Sequence, residues 1–225
     1  VVIGGFDPLD ISSDALSQLL NSFVVSLEIS HSAVTAVADV VLPVAAVIEK
    51  SGSFQDWQGS TRKFEKAIAD SLSRSDVRIL SMIADEMGAP INLPTVAATA
   101  REISALGNWD GKALAFEKTS EIKTAIADGK LNLTSWRMLL DLGTLQDGEA
   151  NLAGTARKAS ARISKARAEK LGVKEGELVS ISSDLGAIKL PVEISEMSDD
   201  QVWVPRNSID SQVIPNLGFV SGQVT

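Results

Sequence analysis

The sequence predicts an α/β protein: a parallel-sheet domain with flanking helices, followed by a small β-barrel domain. Three observations carry this. Short apolar strands alternate with helical segments over the first hundred residues, the pattern of a parallel sheet with covered faces. Past Val173 the pattern changes to short strands at about ten-residue spacing, as in a small barrel. Between the two the periodicity loosens. We therefore expect an α/β domain over 1–107, a helical connector over 108–152 and a β-barrel domain over 153–225.

Val1-Val2-Ile3 reads as a strand running into a turn at Gly4-Gly5. A Gly-rich strand exit can hold phosphate, but no GxGxxG follows and Asp7-Pro8 stands where a helix would start. A plain strand-end turn is the preferred reading. Ser12 or Ser13 caps a helix with Leu16, Leu19 and Leu20 on one face. Phe23–Ile29 is a second strand, Val34–Val37 a helical turn, and Asp39–Leu42 a third, buried strand stopped by Pro43. Gly52, Phe54, Trp57 and Gly59 then mark a hairpin closing on Thr61–Phe64.

Ser75-Asp76 opens a helix with Val77, Leu80, Ile83, Ala84 and Met87 inward, ended by Gly88 and Pro90. Pro94-Thr95 starts another, Val96–Leu106, stopped by Gly107. Met82 and Met87 read as core residues. In the connector, Ser120–Ala127 and Thr134–Leu142 read as short helices, and Trp109, Phe116 and Trp136 as packing residues. Ser164–Leu171 is a helix. The barrel strands are Leu178–Ser182, Ile188–Ile194 (interrupted at Pro191), Val202–Val204 and Leu217–Val220.

The 225 residues hold 44% hydrophobic residues, enough for a sizeable core, and carry a formal charge of −8. That balance argues against a general nucleic-acid binder. No cysteine is present, which excludes disulfides and cysteine-held zinc or iron–sulfur clusters within these residues. The single histidine, His31, follows a strand. It reads as a polar loop residue, with a crevice-lining position as the competing reading. No apolar run reaches the roughly 18–20 residues of a spanning helix. The chain opens without Met in a strand-like run and reads as the middle of a longer polypeptide. Arg157 to Lys174 carries seven basic residues and one acid, Glu169. A solvated helix face explains this stretch; contact with a phosphate or an acidic neighbouring subunit is the alternative.

Residue chemistry alone gives Ala38–Phe64 as strand, loop and hairpin with no catalytic group. Its wording says more. Ala38-Asp39-Val40-Val41-Leu42-Pro43, then Glu49-Lys50-Ser51-Gly52-Ser53-Phe54 and Trp57-Gln58-Gly59, resembles the signature of the molybdopterin oxidoreductase superfamily. Within it, the chain most resembles the C-terminal portion of the large iron–sulfur subunits of bacterial respiratory complex I, the NADH–quinone oxidoreductase. Phe23–Ser32, Trp136–Gly148 and Val202–Ser208 support that likeness. Ala168–Gly186 resembles the opening of the superfamily's C-terminal six-stranded, double-psi-like barrel.

The resemblance implies a non-catalytic scaffold and docking region of the subunit. The parent assembly would pass electrons from NADH through iron–sulfur clusters to quinone, coupled to proton translocation. The 2Fe-2S and 4Fe-4S clusters would lie in an N-terminal part outside these residues, with no cofactor and no metal here. Partners would be other subunits of the peripheral arm, with no nucleic acid and no direct membrane span. The location would be peripheral, on the cytoplasmic face of the bacterial plasma membrane. Where molybdenum enzymes tend to have Asn, Glu and Arg, this chain has Asp56, Gln58 and Ser60, beside Gly59. Losing the Arg removes a planar, permanently charged phosphate partner, so these are vestigial superfamily positions. The alternative is the C-terminal half of a true molybdopterin-dependent oxidoreductase, such as a formate dehydrogenase relative. There Asp56, Gln58, Asn207 and Ser208 would meet a pterin nucleotide. A free-standing small-ligand module is a third, weaker reading.

Overall fold

The computed structural model describes residues 1–107, 110–112, 115, 126–127, 129–218 and 222–225. The chain forms two units, one of Val1–Phe6 with Leu19–Lys118, the other of Asp7–Gln18 with Thr119–Thr225.

The first unit begins with β1 (Val2–Gly4). The 3-10 turn at Pro8–Asp10 and most of a short helix, α1 (Ala15–Leu19), belong to the second unit, and the chain re-enters the first with β2 (Val25–Glu28) and β3 (Val40–Pro43). These strands make a three-stranded parallel sheet in the order β1-β2-β3. Gly4 lies against Leu27, where a Cβ would come within 3.1 Å of the Leu27 carbonyl oxygen, so a larger residue there would push the strands a few tenths of an ångström apart. Val24, Ser26 and Leu27 are buried around the middle strand. The apolar run of the third strand predicts burial, but Val40 and Val41 are exposed. With only three strands, β1 and β3 are both edges, and an edge strand gains cover from one side only. Leu20 of the first helical segment is exposed too.

Next come β4 (Gly52–Gln55) and β5 (Thr61–Phe64), an antiparallel hairpin with Phe54 stacked on Phe64 at 4.8 Å between ring centroids. Two helices follow, α2 (Asp76–Glu86) and α3 (Val96–Leu106), capped by the hydroxyls of Ser75 and Thr95. Their limits match the cap and stop residues. Their expected inward faces do not: Leu80, Met82 and Met87 are exposed, and the buried residue of α2 is Ser81, whose hydroxyl donates to the Leu93 carbonyl at 3.1 Å. Val77, Ile83 and Ala84 are half-buried.

The second unit holds the larger core. Its strands are β6 (Leu131–Trp136), β7 (Ala161–Ile163), β8 (Leu178–Ser182), β9 (Ala187–Ile194) and β10 (Gln201–Pro205). A two-stranded piece, β11 (Asn207–Ser208) with β12 (Ser211–Gln212), and β13 (Gly222–Val224) complete them. Besides α1, the described residues of this unit form the short helices α4 (Ala150–Ala153), α5 (Lys165–Leu171) and α6 (Val213–Leu217). The six-stranded mixed sheet runs β13-β6-β10-β7-β9-β8. Its two outer strands meet, because Ser182 and Thr225 exchange backbone hydrogen bonds of 2.8 and 3.0 Å. Leu133, Ile163, Leu190, Val204, Val213 and Leu217 are among the residues filling the interior.

Two sequence expectations change in this unit. Thr134–Leu142 reads in sequence as a short helix, yet Leu131–Trp136 is a strand, parallel to β10 and antiparallel to β13. Pairing with β10 along Asn132–Trp136 overrides the helical reading. Leu217, expected in a terminal strand, ends α6 instead; Phe219 and Val220 lie outside the described residues. So do Trp109, Phe116 and most of Ser120–Ala127. The strand β9 runs unbroken through Pro191.

Candidate functional site

The hairpin loop of the first unit collects Asp56, Gln58, Gly59 and Ser60. One carboxylate oxygen of Asp56 accepts from the backbone N–H groups of Gln58 and Ser60, both at 2.9 Å. The Asp56 N–H donates to the Ser60 carbonyl at 3.0 Å, and the Gly59 N–H to the Asp56 carbonyl at 3.0 Å. Gly59 has φ 86°, a left-handed conformation that glycine adopts without steric penalty. An aspartate bonding the amides two and four residues on is a turn former, and this one faces its own loop. No hydrogen bond or ion pair joins the side chains of Gln58 and Ser60 to another charged group among the described residues. Trp57 is 91% exposed. At the 3-10 turn (Val47–Glu49) before β4, Lys50 pairs with Asp76, and Glu49 accepts from Ser71 at 2.7 Å and from the Ala46 amide at 2.9 Å. The Ser71 hydroxyl first and the Ala46 amide second hold the Glu49 carboxyl below its ordinary range.

His31 sits exposed in a loop between β2 and β3. Gly5 donates to Glu28 at 3.2 Å, and Asp7 accepts from the Leu9 amide at 3.0 Å, so the Gly4-Gly5 exit is tied to its own neighbours.

In the second unit a groove of about 870 Å³ runs past Asp141, Arg157, Lys158, Lys189, Ser208 and Asp210. Asp141 is committed: Arg137 Nε donates to it at 2.7 Å and the Gly143 amide at 2.8 Å. That carboxylate raises the Arg137 guanidinium above its ordinary value. The Ser208 hydroxyl is buried and has no hydrogen-bond partner among the described residues. Asn207, named beside it from sequence, pairs with Gln212 across β11 and β12 and does not line the groove. Three cations and two carboxylates line the groove, which is close to charge-balanced and unlike a phosphate cradle.

Sequence reasoning missed a cluster that strand register builds. Arg162 of β7 lies opposite Glu193 of β9 and opposite Trp203 of β10. Directly opposed residues share a sheet face. The Arg162 guanidinium lies 4.5 Å over the Trp203 ring, a cation–π contact. Arg162 Nε is 3.0 Å from Glu193 Oε1. The contact is too misaligned to count as a hydrogen bond, and charge attraction survives that misalignment, so we treat it as an ion pair. Ser160 donates to the same carboxylate at 2.6 Å. Ser160 first, then Arg162, holds the Glu193 carboxyl below its ordinary 4.5. Trp136 packs on Trp203 at 4.7 Å. The only sequence signal is the basic run itself; its partners lie about 30–40 residues downstream. No group of three or more metal-binding side chains occurs among the described residues.

Two family profiles match the chain. Residues 12–86 match the molybdopterin oxidoreductase family and residues 131–220 the molydopterin dinucleotide binding domain. A solved structure, acetylene hydratase from Pelobacter acetylenicus, superposes with a TM-score of 0.55 at 15% identity over 85% of this chain and 34% of that one, which supports the fold alone. The chain thus belongs to the molybdopterin oxidoreductase family. Within that class it is homologous to the G-type subunit of NADH-quinone oxidoreductase. It is 44% identical to the Mycobacterium bovis and Mycobacterium tuberculosis proteins over 231 aligned positions, covering the whole chain. The Streptomyces coelicolor protein is 44% identical over 206 positions, or 89% of the chain. The chain spans 29% of the length of the mycobacterial relatives and 24% of the Streptomyces one.

Proposed function

We propose that this chain is a non-catalytic scaffold and docking portion of the iron–sulfur subunit of an NADH–quinone oxidoreductase. The observation that carries the reading is 44% identity, along the entire chain, to the G-type subunit of that complex. The whole assembly would oxidise NADH, pass electrons through iron–sulfur clusters to quinone and couple this to proton translocation. The 2Fe-2S and 4Fe-4S clusters would sit in the part of the subunit that precedes these residues. Partners would be other subunits of the peripheral arm, placing the chain on the cytoplasmic side of the membrane. No helix among the described residues is long and apolar enough to cross a membrane.

A molybdopterin dinucleotide does not suit the residues at hand. Asp56 spends its carboxylate on its own loop, Ser60 brings no cation, and the groove of the second unit is charge-balanced. We read Asp56, Gln58, Gly59 and Ser60 as a retained frame without a ligand, and derive no step through a pterin. The domain organisation consistent with this reading is an α/β domain over 1–107 and a barrel over 153–225, joined by a segment over 108–152 that also lends β6 to the barrel's sheet. The joined edges at Ser182 and Thr225 support closure of a six-stranded, double-psi-like barrel. The reading of a true molybdopterin-dependent enzyme is not favoured by the relatives' names. The test is metal analysis of the purified, assembled complex. We expect iron with no stoichiometric molybdenum; one molybdenum per parent polypeptide would overturn the proposal.

A further inference from the structure

Leu139 and Leu145 stand on one loop of the second unit and are 91% and 100% exposed. A single exposed leucine is ordinary. Two facts set this pair apart. First, the loop that carries them is held in one shape. Arg137 Nε donates to Asp141 at 2.7 Å, and the same carboxylate accepts from the Gly143 amide at 2.8 Å. The Gln146 side chain closes the loop: its Nε2 donates to the Leu139 carbonyl at 2.9 Å, and its Oε1 accepts from the Asp141 amide at 3.1 Å. The Leu142 amide ties the loop to the Asn207 carbonyl of β11 at 2.8 Å. A Cβ on Gly143 would lie 2.6 Å from Arg137 Nη2, so the Arg137–Asp141 clamp closes against bare backbone. Second, the charge is one-sided. Arg137 is the only cation between Trp136 and Glu149, and Asp141 and Asp10 share it. Asp147 and Glu149 are exposed and form no ion pair among the described residues. A loop already fixed with its leucines in solvent loses little entropy on docking.

We propose that this loop docks into an apolar groove with a basic rim, on the part of the parent polypeptide outside these residues. Leu139 and Leu145 are the anchors, and Asp147 and Glu149 meet the rim. Length argues for an occupant on the same polypeptide, because the residues here span 29% of the mycobacterial relatives. The remainder is covalently tethered, and tethering gives it an effective concentration of about the millimolar range, ahead of a separate subunit. The proposal rests on the reading of these residues as a portion of a longer subunit, and not on that subunit's part in electron transfer. Molybdenum in the assembled complex would sink that part and leave the following test unaffected.

The test is hydroxyl-radical footprinting of the full parent polypeptide, alone and in the assembled complex. We expect Leu139 and Leu145 to be oxidised about tenfold or more slowly than in the unfolded polypeptide, as anchors shielded from solvent are, and to be so before assembly. In Leu145→Asp, oxidation of Leu139 should rise about tenfold or more, the loss of one buried leucine anchor, while β9 in the core of this unit keeps its amide-exchange protection. Carbodiimide coupling of Asp147 or Glu149 should reach a lysine outside these residues on the same polypeptide. Leucines oxidised as fast as in the unfolded polypeptide, alone and in the complex alike, would overturn the proposal. Protection that begins only on assembly would overturn it in favour of a neighbouring subunit, and coupling to a lysine within residues 1–118 would overturn it in favour of the first unit.

Discussion

Replacing Asp56 with Ala separates a turn-forming aspartate from a ligand-binding one. The side chain accepts from the Gln58 and Ser60 amides at 2.9 Å, and the loop is exposed, so water replaces both contacts once the carboxylate is gone. Removing such a capping acceptor costs about 1 kcal/mol, the usual range for a side-chain cap. Because the strand ladder and the Phe54–Phe64 stack remain, the loss should stay within the hairpin. A change of that size raises local opening about fivefold. The assay is amide hydrogen exchange of Gln58 and Ser60 in the full polypeptide, together with the NADH–quinone turnover proposed above for the assembled complex. We expect faster exchange at those two amides, partial recovery in Asp56→Asn, whose amide oxygen still accepts, and turnover within about twofold of the parent. Turnover falling tenfold or more with exchange unchanged would refute the reasoning and make Asp56 a functional group.

Three further outcomes are expected. Leu133→Ala, at a 2% exposed position of the doubly paired strand β6, should destabilise the second unit by about 2–5 kcal/mol, read from its urea midpoint. Ser164→Ala removes the acceptor of the Arg167 amide and a donor to Asp199, and should cost about 1 kcal/mol in the same measurement. Glu193 has a lowered carboxyl, so its ionised form stabilises the fold at pH above its ordinary 4.5, and that contribution fades as pH falls through the lowered value. The stability gap between the parent and Glu193→Gln should therefore be constant near neutrality and close on acidification below 4.5; a gap that widens there would contradict the assignment.

Local chemistry in the sequence reaches as far as local structure does. The limits of α2, α3 and α5 follow from Ser75, Thr95 and Ser164 as caps, and from Gly107 and Gly172 as stops. The β8–β9 hairpin follows from Ser183-Asp184-Leu185-Gly186 between two alternating runs. What fails is whatever depends on a distant partner. Thr134–Trp136 opens a segment read as a helix, and its pairing with the distant β10 makes it the end of a strand. Apolar residues of β3 and α2 read as inward because hydrophobic pattern cannot tell a face covered within this chain from one that is not. The hairpin positions are legible from resemblance. The role of Asp56 as a turn former is not, since it depends on carboxylate geometry. The Arg162 cluster is invisible in sequence because it arises from register between three strands.

The edge-to-edge join at Ser182 and Thr225 also sets a timetable. Leu131 enters the sheet opposite Val224, about 90 residues later in the chain. At roughly 5–20 residues per second, β6 leaves the ribosome about 5–20 s before its antiparallel partner exists. During that interval the leucines of β6 and the unpaired backbone beside them are open to solvent and to chaperones. Closure of this sheet therefore waits for β13, and a nascent chain stalled before it would present an apolar edge to protein quality control.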